Sequence, residues 1–184
     1  MLQIRTLFTA IAVGMACMGC GTVTVTSYYD KNAHKDPVKE IALGFIEVRN
    51  LDLNTFVRKN LYDSIKFEME KAKIKVNDPE TMKAARKASN IENDEMLSGA
   101  DVFRLSKTSS FDLYLQGYVQ ENKVGDALSE EIHSVIVLFL FSREGKKAGE
   151  IRYFTKKRTV ISAENLQEMA QGIVQEFKRT VPSP

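Results

Sequence analysis

Both cysteines of this 184-residue chain, Cys17 and Cys20, lie in its first 20 residues. Arg5 is the only charge in that segment, residues 7–16 are almost wholly apolar, and small residues follow. This three-part layout is typical of a secretory signal, and the apolar run is about half the ~20 residues that a membrane-spanning helix needs. The rest of this chain contains no cysteine. A domain formed by it must therefore fold around a hydrophobic core, without disulfides or cysteine-based metal sites.

A cysteine directly after the small-residue region resembles the signal of a bacterial lipoprotein, in which the new N-terminal cysteine carries acyl chains such as palmitate. Cys20, preceded by Gly19, is the expected acceptor, and Cys17, preceded by Ala16, is the alternative. Such signals favour leucine three residues before the cysteine, where this chain has Cys17. An ordinary secretion signal remains the other interpretation. We expect a signal peptide over residues 1–19, a lipidated tether over residues 20–40, and one α/β domain over residues 41–184.

The charge balance is nearly neutral, with a formal net charge of +2 that falls by one unit when Arg5 is removed. A balance this close to neutral gives no reason to expect a nucleic-acid partner or strong attraction to a membrane surface.

The domain opens with a strand, a helix and a strand. The apolar residues 41–48 predict a buried strand, Asn54 is the predicted cap of a helix that ends near Lys73, and residues 74–76 predict a second strand. This order implies a right-handed parallel crossover. The predicted apolar face of the helix consists of Val57, Leu61, Ile65, Met69 and Ala72.

Two further helices and a strand-rich region follow. Asp78 and Pro79 are expected to start one helix, and residues 101–107 form another. Strands are predicted at residues 111–119, 132–141 and 150–160, with turns at 121–126 and 143–146. The middle strand is apolar on both faces, which favours a central strand covered on both sides. Ser162 is the predicted cap of a last helix with a stripe of Leu166, Met169, Ala170, Ile173, Val174 and Phe177.

The sequence carries no recognised catalytic motif. His34 lies in the tether and His133 at the start of a strand, so a two-histidine metal site is not expected. Residues 145–149 are glycine-rich and basic, but they are predicted to lie in a hairpin turn rather than between a strand and a helix, as a phosphate loop would. We therefore expect no enzyme activity, no metal and no cofactor. A hydrolase whose carboxylates converge only in the fold stays open as an alternative.

The last predicted strand suggests a binding surface. Its period of two places Arg152, Phe154, Lys156 and Arg158 on one face, opposite Ile151, Tyr153 and Thr155, which we assign to the core. A cationic row around one aromatic ring suits an acidic protein patch or an anionic envelope polymer. The alternative is that these charges only protect an edge strand from aggregation.

The layout after the tether resembles a family of small envelope domains. Its cues here are residues 44–50, which read Gly-Phe-x-x-Val-x-Asn, the helix to Lys73, the strand ending in Gly117, the hairpin with Gly145 and the closing helix. The family includes the curli-secretion lipoprotein, penicillin-binding-protein activators, flagellar outer-membrane lipoproteins and the N-terminal domain of the Tol–Pal translocation protein.

The resemblance implies a non-catalytic binding or assembly factor, anchored by lipid in the cell envelope with the outer membrane as its expected location, and with an envelope protein as partner. The predicted fold is a small mixed α/β sheet with a β-α-β start, a C-terminal antiparallel meander and flanking helices. A surface-exposed lipoprotein that binds an extracellular ligand is the second interpretation. The sequence fixes neither the oligomeric state nor the membrane leaflet.

Overall fold

The computed structural model describes residues 23–51, 53–91, 95–126, 129–156 and 158–182. Cys17, Cys20 and the rest of the predicted signal therefore lie outside the described residues. Within those ranges the chain forms six strands and four helices. The strands are β1 Val23–Tyr29, β2 Glu40–Arg49, β3 Lys75–Asn77, β4 Leu113–Asp126, β5 Ser129–Ser142 and β6 Lys147–Lys156. The helices are α1 Asn54–Lys71, α2 Pro79–Ala88, α3 Gly99–Leu105 and α4 Ala163–Thr180.

The six strands form one mixed sheet in the order β1-β6-β5-β4-β2-β3. β2 runs parallel to β3 and to β4, whereas β4, β5, β6 and β1 pair antiparallel. The predicted α/β class, the β-α-β start, the antiparallel meander and the flanking helices are therefore confirmed. No helix in the described ranges is long and apolar enough to cross a membrane.

The main core lies between one face of the sheet and the helices α1 and α4. Both helices bury the stripes that their sequences predict, including Leu61 and Ile65 of α1 and Ile173 and Phe177 of α4, each without exposed surface. Ser162 directly precedes α4, and its side chain accepts a hydrogen bond from the amide of Asn165, so the predicted cap is confirmed.

A smaller core lies on the opposite face of the sheet, under α2 and α3. It joins Met82 and Val102 from these helices to Ala42 and Tyr114 of the sheet. Asp78 caps α2 through its side chain, with Pro79 as the first helical residue, as predicted. The cap predicted at Asn54 is wrong: Asn54 is already the first residue of α1, and the capping position, Leu53, makes no side-chain bond.

A bulge in β2 explains the first glycine of the family-like segment. The pairing of β2 with β4 shifts register between Leu43 and Ile46, and a Cβ atom on Gly44 would lie 2.1 Å from the hydroxyl oxygen of Tyr114. On the other face, Tyr62 of α1 donates to the carbonyl of Gly44 at 2.7 Å and accepts from the amide of Ile46 at 3.0 Å. The bulge is therefore held between α1 and Tyr114, where only glycine fits.

The predicted tether needs correction, because part of it belongs to the sheet. β1 pairs with β6 over its whole length, from Val23 opposite Thr155 to Tyr29 opposite Gly149. Val25 and Tyr29, two of the alternate residues of β1, pack against the main core. Chain that belongs to the folded domain thus begins no later than Val23.

The predicted turn at residues 121–126 is also wrong, because β4 continues to Asp126 and pairs with β5 from Ser129 onward. Polar residues suit this extension because Glu121 is buried and satisfied there. Its carboxylate accepts from the hydroxyl of Thr159 at 2.7 Å and from the amide of Val160 at 2.9 Å.

Candidate binding surface

A large part of the sheet surface is left uncovered by helices in the described part of the chain. The helices α2 and α3 cover only the end of this face near Ala42, Tyr114 and Phe141. The remainder, which we call the open face, presents side chains from five strands. Its residues are Thr24, Thr26, Tyr28, Glu47, Arg49, Tyr118, Val135, Phe139, Glu150, Arg152, Phe154 and Lys156.

Aromatic rings form the centre of the open face. The rings of Tyr118 and Phe139 lie 6.3 Å apart on neighbouring strands, and the ring of Phe154 meets His133 edge-on at 5.6 Å. The rings of Tyr118, Phe139 and Phe154 are half-buried, and Tyr28 at the margin is 63% exposed. Aromatic side chains that are partly exposed on a rigid sheet are typical of protein interfaces.

Cations border these rings. The guanidinium of Arg49 lies 4.0 Å from the ring centre of Tyr118, and the ammonium of Lys147 lies 4.6 Å from that of Phe139. Both distances are within the range of cation–π attraction, which holds the cations flat over the sheet.

Glu150 connects the cations at the side of β1. Its carboxylate accepts from Lys147 at 2.7 Å and also from Arg152. Partial burial acts to raise the pKa of Glu150, but the hydrogen bonds from Lys147 and Arg152 outweigh it, and the pKa is lowered. A depression of about 310 Å³ opens here between Glu150, Arg152, Thr26, Ser27 and Tyr28. It lies at the margin of the aromatic surface.

Three of the four residues in the predicted cationic row lie together on the open face. Arg152, Phe154 and Lys156 project from β6 opposite the core-facing Ile151, Tyr153 and Thr155, as predicted.

Arg158 does not belong to this row. β6 ends at Lys156, and Arg158 forms an ion pair with Glu168 of α4, in a groove that Tyr153 also lines. The period of two ceases with the strand, so it could not place Arg158.

The structure also rules out the alternative explanation for this row, namely that its charges protect an edge strand from aggregation. β6 pairs with β5 on one side and with β1 on the other, so it is not an edge strand. Charges on an interior strand have no free backbone to protect, and the aggregation argument does not apply to them. Likewise, β5 is central as predicted but is not covered by helices on both sides, because Val135 and Phe139 stay half-exposed on the open face.

Sequence reasoning missed the other half of this surface. Tyr118, Phe139 and Arg49 join Phe154 only because β2, β4, β5 and β6 lie side by side. The alternation of Tyr114, Gln116 and Tyr118 on one face of β4 was the available signal. It was not informative alone, since Tyr114 on the same face is buried.

The described residues show no group of three or more histidine, cysteine or acidic side chains that could hold a metal ion. His34 follows the end of β1 and His133 lies near the start of β5, close to opposite ends of the sheet. Gly145 has a left-handed backbone, with φ of 76°, in the hairpin turn between β5 and β6. Residues 145 and 146 of the glycine-rich segment therefore lie in the predicted hairpin turn, whereas residues 147–149 already belong to β6.

Three carboxylates that are largely buried each join two parts of the fold. Glu68 of α1 accepts from Gln167 of α4 at 2.8 Å, Glu121 holds the segment before α4, and Glu176 accepts from Ser27 of β1. Each of the three accepts hydrogen bonds from protein donors, so each has a structural role.

Comparison with known proteins finds likeness in structure only. No protein-family model matches the sequence, and no curated protein matches it either. A PelC dodecamer from Paraburkholderia phytofirmans aligns over 85% of this chain and 98% of its own, at 8% identity and a TM-score of 0.50. A second PelC dodecamer structure from that organism covers 90% and 99% at 10% identity and 0.49, and lipoprotein GNA1162 from Neisseria meningitidis covers 77% and 99% at 14% identity and 0.45.

At such identities a likeness concerns the fold alone. The chain therefore has a fold that is also found in PelC. The envelope families named from the sequence cues stay a prediction.

Proposed function

We propose that this protein is a lipid-anchored lipoprotein of the bacterial cell envelope, whose domain binds another envelope protein through the open face without catalysing a reaction. The anchor is Cys20, on the evidence of the N-terminal signal pattern. One observation supports the binding role: the helices of the described residues leave uncovered an aromatic surface on four interior strands.

The composition of the open face determines the kind of partner. Tyr118, Phe139 and Phe154 offer rigid apolar area that loses little conformational entropy when it is covered. Four cations surround these rings: Arg49, Lys147, Arg152 and Lys156. Arg49 forms an ion pair with Glu47, and Lys147 and Arg152 form ion pairs with Glu150. A protein surface with its own apolar centre and acidic border complements this arrangement.

The likeness to PelC supports an assembly role, since PelC forms a dodecamer and a domain of this fold can thus be a building block of a complex. A catalytic role has less support, because the buried carboxylates Glu68, Glu121 and Glu176 are each engaged in holding the fold together.

A capture experiment with matched variants tests this proposal. The full-length protein is crosslinked in intact envelopes and purified with its partners, in parallel with Arg152→Glu/Lys156→Glu and with Phe154→Ser. Lys178→Glu is the control, because Lys178 is an exposed residue of α4, which packs on the opposite face of the sheet.

We expect both open-face variants to lose the partner while the control keeps it. Capture by the unmodified protein should weaken at about 0.5 M salt, where exposed charges are screened within a few ångströms. Retention of the same partner by both variants at equal salt would show that the binding surface lies elsewhere.

A further inference from the structure

Exposed apolar side chains gather at one end of the sheet. The described residues include eight large hydrophobic side chains that are exposed, and five of them lie at the end where β1 begins. They are Val23, Leu53, Phe56, Val124 and Ile161, with 41–50% of each residue exposed. We call this region the basal end.

The directions of the elements bring these five residues together. β1 begins at the basal end, and β6, its antiparallel partner, ends there, as do β2 and β4. α1 follows β2 through the turn that contains Leu53, and Phe56 lies in the first turn of α1. Ile161 lies between β6 and α4, and Val124 lies on the hairpin of β4 and β5. One end of the domain therefore collects apolar side chains from four separate segments.

The same end is tied to the predicted acyl group. Val23 already pairs with Thr155, and it is the third residue after Cys20. Three extended residues span at most about 11 Å. An acylated Cys20 therefore keeps the basal end within about 11 Å of the lipid to which it is attached.

The hairpin of β4 and β5 extends beyond the level of Val23 about as far as the segment from Val23 to Cys20 can reach. Thr155, the partner of Val23, lies opposite Ser134, which pairs with Glu121. Val124 is three residues further out along β4, a distance of about 10 Å along the strand. The exposed Val124 thus lies about as far beyond the sheet as Cys20 can reach.

We propose that the basal end docks on the lipid bilayer, with Val23, Leu53, Phe56, Val124 and Ile161 inserted in its interfacial layer. This inference rests on the proposed function, because it needs the acyl group on Cys20. The anchor holds the domain at high local concentration beside the surface, so that shallow insertion of a few apolar side chains suffices. Docking fixes the sheet upright on the membrane, and the open face then points sideways, toward other proteins of the same membrane.

Spin labels on the full-length lipidated protein test this proposal in vesicles of phosphatidylethanolamine and phosphatidylglycerol. Val124→Cys and Ile161→Cys carry the label at the basal end. Phe67→Cys and Phe103→Cys are the controls, since they are exposed to 60% and 43% on helices away from that end. Relaxation by oxygen, which is concentrated in lipid, is compared with relaxation by a water-soluble nickel complex. Acylation of each sample is measured by mass.

We expect the ratio of oxygen to nickel accessibility to be several-fold higher at both basal labels than at both controls. Basal labels that are as accessible to nickel as the controls, on a protein with acylated Cys20, would overturn docking and leave the proposed function standing. Basal labels shielded from both reagents would also overturn it, because a protein would then cover that end. Absence of acylation would contradict the proposed function itself.

Discussion

The hydroxyl of Ser27 donates a hydrogen bond to the carboxylate of Glu176, and this contact joins the first strand to the last helix. Arg179 holds the same carboxylate at 2.6 and 2.9 Å, and the hydroxyl of Thr180 lies 2.6 Å from that of Ser27. Mainly through Arg179, the pKa of Glu176 is lowered to about 2. Part of the segment that the sequence suggested as a tether is thus attached to the last helix as well as to β6.

Replacing Glu176 should loosen β1 selectively. Glu176→Ala removes the charged acceptor of the partly buried Ser27 hydroxyl and the partner of Arg179, so we expect a loss of about 1–3 kcal/mol in the free energy of unfolding. Amide hydrogen exchange should accelerate in residues 23–29 before it does elsewhere. Glu164→Ala, at an exposed position of the same helix, is the control. Equal acceleration across the whole sheet would mean that β1 is not separately held.

The cap of α2 should make stability depend on acid. The carboxylate of Asp78 accepts from the ammonium of Lys66 at 2.8 Å and from the amide of Thr81 at 2.9 Å. These contacts, chiefly the one from Lys66, lower the pKa of Asp78 from 3.8 to about 2. A lowered folded-state pKa stabilises the protein above the unfolded pKa and ceases to do so as pH falls through the folded value.

The measurement is urea unfolding of Asp78→Asn and of the unmodified protein, near neutral pH and near pH 2. Asparagine still accepts from the Thr81 amide but cannot pair with Lys66. We expect Asp78→Asn to be less stable near neutral pH and the difference to shrink strongly near pH 2. A difference that is independent of pH would show that the ion pair does not contribute.

The bulge at Gly44 should tolerate no side chain. Because a Cβ atom there would lie 2.1 Å from the hydroxyl oxygen of Tyr114 and 2.2 Å from its ring carbon Cζ, Gly44→Ala should cost about 1–3 kcal/mol. In a Tyr114→Ala background the same change should cost much less, since the obstructing ring is gone. A cycle of these four proteins measures the coupling, and additive losses would disprove the contact as the cause.

Acyl labelling tests the assignment of the lipid. Cys20→Ala should abolish incorporation of labelled palmitate, block lipoprotein maturation and release or mislocalise the protein with its domain still folded, whereas Cys17→Ala should leave labelling and location unchanged. Two or more acyl chains are needed for stable anchoring, so complete loss is expected rather than a partial one. Labelling that persists in Cys20→Ala and disappears in Cys17→Ala would assign the lipid to Cys17.

The periodicity of apolar residues predicted the elements that bury one face in the main core. The stripe of α4 and the core-facing Ile151 and Tyr153 of β6 were readable because each repeats at the period of its own element. The short helix α3 was predicted two residues late, because its start depends on Ser98, which forms a capping box with Asp101.

The sequence does not predict which strands lie beside each other in the sheet. Whether β6 is an edge strand depends on β1, which is more than 100 residues away and too polar to suggest a core strand. The open face exists because α2 and α3 are too short to cover the sheet, and helix length against sheet width is a property of the assembled fold. Arg158 was misplaced for a local reason, since the strand ends two residues before it.

Photo-crosslinking in intact cells tests the binding role of the open face most directly. A benzophenone amino acid replaces Tyr28 or Phe154 on the open face, or Phe67 on α1 as the control. Tyr28 and Phe67 are matched in exposure, at 63% and 60%. The account predicts one discrete crosslinked protein from positions 28 and 154 and none from position 67. The same adduct from position 67, or no adduct from either open-face position, would contradict it.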